Sequence, residues 1–117
     1  MTPAALIGKW KVQELSLPSP DKCRDIYLNI NSDGSLLSTD GTLEETMRWA
    51  ASPHAMGFLI TYTYISNNGK VNCQGIPAET VRENTLKVSY VEIEDGGRSL
   101  RFYLGSERTD HYMLFKK

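Results

Sequence analysis

The stretch Leu6-Ile7-Gly8-Lys9-Trp10-Lys11-Val12-Gln13-Glu14-Leu15 decides how the chain is read. Leu6, Trp10 and Val12 share one parity and Lys9, Lys11 and Gln13 the other, the period-two pattern of a strand with one face in a core. Gly8 interrupts the apolar side where something bulky must approach the backbone, and Trp10 follows at once.

The same alternation recurs downstream. Arg24 to Asn31 sets Ile26, Leu28 and Ile30 against Tyr27, Asn29 and Asn31, and Asn31-Ser32-Asp33-Gly34 reads as a tight turn. Ser35 to Thr39 returns as a short strand, and Asp40-Gly41 turns the chain again. Gly57 to Ser66 is the strongest strand, with Phe58, Ile60, Tyr62 and Tyr64 on one face and Leu59, Thr61, Thr63 and Ile65 on the other. Asn67-Asn68-Gly69 is a hairpin turn, Lys70 to Ile76 a further strand, and Pro77 its end. In Thr85 to Glu94 the apolar parity changes near Tyr90, which fits either a β-bulge or a strand buried on both faces. Ser99 to Leu104 and His111 to Lys117 complete the set.

Signals conflict in one segment. Thr42-Leu43-Glu44-Glu45 matches a capping box, and Leu43, Met47 and Ala50 follow helical spacing. Met47 and Trp49 also share a strand face, and a strand from Met47 to Ala51 fills the next place in the meander. The strand is the expectation, with Ser52-Pro53-His54 as a break after it. About eight or nine strands joined mostly by short turns define an all-β chain, an up-and-down antiparallel barrel.

Composition narrows the function. The chain of 117 residues suits a single domain, 1–117, and its 40% hydrophobic and 23% charged residues are an ordinary soluble balance. Thirteen Lys and Arg against fourteen Asp and Glu are scattered without a basic stripe, which speaks against nucleic acid. No apolar run reaches the ~20 residues of a membrane span. Met1-Thr2-Pro3-Ala4-Ala5 does not read as a signal peptide, so the chain as written is expected in the cytoplasm. It is expected in the periplasm or outside the cell if a signal was removed and Cys23 and Cys73 are bridged. Such a bridge would close a loop of about fifty residues and stabilise by roughly 3–4 kcal/mol; two buried free thiols are the other reading.

Gly8-Lys9-Trp10 opening the first strand, the Asp33-Gly34 hairpin after the second, and the terminal His111-Tyr112-Met113-Leu114-Phe115-Lys116 resemble the compact bacterial lipocalin-like domains, calycin-type barrels. The resemblance implies that Gly8 and Trp10 are structural, Trp10 plugging the closed end. It also implies a C-terminal Arg packed on that Trp, with Arg101 and Arg108 as candidates. Thr109-Asp110-His111 departs from the Thr-Asp-Tyr motif of larger lipocalins and is not carried over.

The expected function is binding of a small, largely hydrophobic molecule inside the barrel by a carrier or sensor without catalysis. Trp49, Phe58, Tyr62, Tyr64, Tyr90 and Phe102 are the expected ligand-binding residues, since an inward tyrosine hydroxyl needs a partner that a ligand or water supplies. A filled core is the competing reading of the same residues. Glu14, on the parity of Trp10 and Val12, is either a polar cavity residue or the point where the strand leaves the barrel. No catalytic residue is assigned: Asp110-His111 with Ser106 holds the letters of a triad without its geometry. Cys23, Cys73, His54 and His111 lack metal-ligand spacing, so neither metal nor cofactor is expected. Other classes compatible with the sequence are an interaction module or inhibitor with a filled barrel, a small isomerase or cyclase using the cavity, and a structural homodimer; monomer and homodimer both stay open.

Overall fold

Eight of the nine alternating runs each become one stave of a closed barrel. The computed structural model describes residues 3–16, 26–71, 75 and 86–117. Its eight strands are antiparallel and follow one another round the barrel in chain order, the last pairing with the first. They are β1 (Gly8–Leu15), β2 (Ile26–Ile30), β3 (Ser35–Asp40), β4 (Leu43–His54), β5 (Gly57–Asn67), β6 (Leu86–Glu94), β7 (Ser99–Tyr103) and β8 (Tyr112–Lys116). The up-and-down barrel expected from the sequence is the architecture observed.

The contested segment is a strand, longer than expected at both ends. β4 pairs with β3 from Leu43 to Arg48 and with β5 from Glu45 to His54. Leu43 and Met47, four residues apart, lie on one face of a helix and also on one face of a strand, so their spacing never separated the two. Ser52-Pro53-His54 is not a break. β4 outruns β3 there and keeps only β5 as a strand neighbour, and an edge tolerates a proline that has no N–H to donate. The reversal falls at Ala55-Met56, where Ala55 takes a φ of 51° usually left to Gly or Asn.

One bulge redirects side chains, and an expected second one is absent. Register slips between Val12 and Glu14 opposite Phe115 and Leu114, so Gln13 is an extra residue. The bulge reverses the parity: Leu15 packs against the core, and Glu14 stands exposed outside rather than in the cavity. β6 keeps continuous register with both neighbours, so Tyr90 marks no bulge. Ser89 and Val91 are buried on the inner face and Tyr90 and Glu92 on the outer face, the second of the two readings of that parity change. The expected strand Lys70 to Ile76 falls mostly outside the described residues, as do Cys23 and Cys73.

One end of the barrel is shut. Trp10 is fully buried and its indole Nε1 donates to the Leu6 carbonyl oxygen at 2.9 Å. The short 3-10 turn Pro3–Leu6 carries buried Leu6 across that end. Lys117 Nζ sits 4.8 Å from the centre of the Trp10 ring. Gly8 has a φ of 148°, and a Cβ there would lie 2.8 Å from Lys117 Cε. The bulky approach that Gly8 announces is the Lys117 side chain.

Gly57 supports a second close approach, since an added Cβ would overlap the Val91 carbonyl oxygen and lie 3.2 Å from Glu92 Cα. Gly57→Ala is expected to cost at least ~2 kcal/mol because backbone must move. Gly69→Ala, with open space but a φ of 73°, is expected to cost about 1 kcal/mol. Urea midpoints of the two variants check the order.

Candidate functional site

Inward side chains fill the shut end and leave room at the other. Around Trp10, the buried Ile30, Phe58, Ile60, Leu100 and Phe115 form a continuous core. Toward the opposite end the interior widens into an open cavity of about 190 Å³. Leu28, Leu36, Met47, Phe102 and Met113 supply its apolar surface, and Leu104 stands at its margin, about half exposed. Its polar contributions are Ser38, Glu45, Tyr62, Tyr64 and Lys87.

Register explains why these particular polar groups face inward. Glu45 pairs with Ser38 across β3–β4 and lies two residues before buried Met47 on the same face. Lys87 pairs with Tyr62 across β5–β6 and precedes inward Ser89 by two. Tyr62 and Ser89 share a hydrogen bond of 3.1 Å between their hydroxyls, and Asn67 Nδ2 donates to the Tyr64 hydroxyl at 2.6 Å. Both inward tyrosines thus have protein partners, which a sequence cannot display because Ser89 and Asn67 reach them only through the strand pairing and the turn.

Of the six expected ligand-binding residues, Tyr62, Tyr64 and Phe102 border this cavity. Phe58 lies inside the barrel in the packed core. Trp49 is inward but outside the cavity lining: its amide donates to Gly34 O and its Nε1 to Asn31 O, both at 2.9 Å, which ties it to the β2–β3 turn. Tyr90 faces out of the barrel. Leu28, Leu36, Met47 and Met113 read in the sequence only as inward parity, and Glu45 and Lys87 as ordinary charged surface. The cation on Trp10 is Lys117, not either arginine. Arg101 packs 4.4 Å from the Tyr112 ring centre and pairs with Glu94 at 2.9 Å, a hydrogen-bonded contact that pushes its guanidinium above the usual range.

The outer face of β6 and β7 carries a second polar cluster. Glu92 is 7% exposed; its Oε2 accepts from the Tyr90 hydroxyl at 2.8 Å and its Oε1 from Tyr103 at 3.3 Å and from Arg108 Nη2 at 3.2 Å. Tyr90 and Tyr103 stack with ring centres 5.6 Å apart, and His54 meets Tyr90 edge-on at 5.8 Å. The Tyr90 hydroxyl also accepts from the Met56 amide at 3.2 Å, anchoring the turn in which Ala55 has positive φ. A cleft of about 320 Å³ lies alongside, between the His54–Met56 turn and Ser106–Arg108. The cluster latches the β7–β8 loop and the β4–β5 turn onto the barrel wall.

Ser106, Asp110 and His111 are all exposed, and the His111 amide is taken up by the Thr109 hydroxyl. Among the described residues no group of three His, Cys, Asp or Glu side chains is arranged to hold a metal, and no helix is long and apolar enough to cross a membrane. Comparison with models of known families, with curated proteins and with solved structures gives no match.

Burial, and then the hydrogen bond to Glu92, push the Tyr90 phenol above its usual range. The fold therefore favours the protonated phenol, and the unfolded chain loses that proton first. Its contribution to stability is complete below about pH 10 and is lost as pH rises through the raised value. Denaturation midpoints of the wild type and Tyr90→Phe, compared from pH 8 to 12, should show a shallower alkaline decline in the variant. Glu92→Leu, which strips two buried hydroxyls of their acceptor, should cost roughly 2–4 kcal/mol at neutral pH.

Proposed function

We propose that this chain is a lipocalin-like carrier or sensor that takes a small, largely apolar molecule into the open end of its barrel. The observation that carries this reading is the cavity of about 190 Å³ with an apolar floor in a barrel whose other end is shut. An eight-stranded barrel is just wide enough either to fill with side chains or to hold one small ligand. An engineered cavity of ~150 Å³ lined by apolar groups accepts benzene, so six to eight carbon atoms suit this volume. Affinity would come from apolar area removed from water, at roughly 25 cal/mol per Å², and orientation from the hydroxyls at the mouth.

The lipocalin likeness rests on features of the shut end. Gly8-Lys9-Trp10 opens β1, Trp10 is buried there, and a basic side chain from the end of the chain lies across the indole. Lys117 stands where the family resemblance calls for an arginine. A filled barrel acting only through its surface is disfavoured by the volume left between Leu28, Met47 and Met113.

Three methionines make the test internal. Met47 and Met113 border the cavity, whereas Met56 is 87% exposed on the β4–β5 turn. In protein carrying 13C-methyl methionine, titration with octanol is expected to shift the Met47 and Met113 methyl signals saturably and leave Met56 in place. Met113→Trp, which fills the cavity, is expected to weaken binding at least ~10-fold, about 1.4 kcal/mol, while preserving the folded amide spectrum. Equal shifts of all three methyls, or none, would overturn the reading.

A further inference from the structure

We infer that the ligand is a zwitterionic amphiphile: one apolar body bearing an ammonium and a carboxylate at the same end. The inference rests on the cavity reading above and concerns the head group of that ligand.

Glu45 and Lys87 both border the cavity, on β4 and β6, the two strands that flank β5. Among the described residues neither side chain has a hydrogen-bond or ion-pair partner, and the two do not pair with one another. That sets them apart from the charged residues on the outer face of β6 and β7, where Glu94 has Arg101 and Glu92 has Arg108. Their inward position follows from the register: each stands two residues from a buried inward side chain, Met47 and Ser89.

Charge then selects the head group. A neutral ligand entering this mouth draws water away from two charges and offers neither a counter-charge, which is costly. A simple carboxylate meets Lys87 and opposes Glu45; a simple amine does the reverse. A head with both charges meets both residues. The Tyr64 hydroxyl accepts its hydrogen bond from Asn67 and so keeps its own O–H to donate to a carboxylate oxygen. Below the head, Leu28, Leu36, Phe102 and Met113 receive an aliphatic chain.

The test compares four eight-carbon probes on the full chain: 2-aminooctanoate, octanoate, octylamine and octanol, each followed through the Met47 and Met113 methyl signals. 2-Aminooctanoate is expected to bind at least ~10-fold more tightly than octanol, about 1.4 kcal/mol. Lys87→Gln should bring it level with octylamine, and Glu45→Gln level with octanoate; both positions are solvent-facing enough that the amide spectrum should stay folded. If octanol, octanoate or octylamine equals or outranks the zwitterion while the methyls still respond, the head-group assignment fails and the cavity reading stands. If no probe moves those methyls, the cavity reading itself fails and this inference falls with it.

Discussion

The buried indole of Trp10 is the contact on which the rest of the barrel depends. A ring of that size taken wholly out of water contributes a large apolar area, but its N–H must find an acceptor in the same place. Leu6 O is that acceptor, and it is in reach only because Pro3–Leu6 folds back as a 3-10 turn over the end of the barrel. Lys117, just past β8, then covers the ring over a Gly8 that has no side chain to obstruct it. One hydrogen bond thus fastens the start of the chain, and one cation fastens the last strand to the first. With one end shut in this way, the interior volume that the remaining side chains do not fill is gathered at the other.

The outer wall and the cavity mouth treat polar groups differently. On the outer wall Glu92, Tyr90, Tyr103 and Arg108 satisfy one another, and every buried side-chain polar atom among the described residues has a partner. Such a closed network fixes loops in place: it holds the strained Ala55 turn through Met56 and the β7–β8 loop through Arg108. At the cavity mouth, the Glu45 and Lys87 side chains have no protein partner among the described residues, while Ser38 and the tyrosines stand nearby. Polar groups that are satisfied internally stabilise; charges that face a hollow and lack partners are available to something that enters it.

Much of the site was legible as parity. Phe58, Ile60, Tyr62 and Tyr64 occupy one face because strand side chains alternate, and that face is the interior. Which of them border a hollow was not legible, since parity says inside or outside and nothing of height along the barrel axis. Trp49 and Phe58 have the right parity and lie at the wrong height. Tyr90 has the parity of the wall rather than the hollow, and its burial by Met56, Tyr103 and Arg108 comes from segments remote in the chain.

The strand alternation, the main turns at Asn31–Gly34, Asp40-Gly41 and Asn67–Gly69, and the antiparallel up-and-down order could be read from the chain alone, because each depends on residues within a few positions of one another. Tertiary structure alone decided that Gln13 bulges and turns Glu14 outward, that Pro53 belongs to an overhanging strand edge, and that Lys117 rather than an arginine covers Trp10. It also decided that Glu45 and Lys87 share one opening. Those outcomes depend on how eight strands tilt and stagger as the sheet closes on itself, and the stagger is set by the packing of the whole interior, which no local stretch contains.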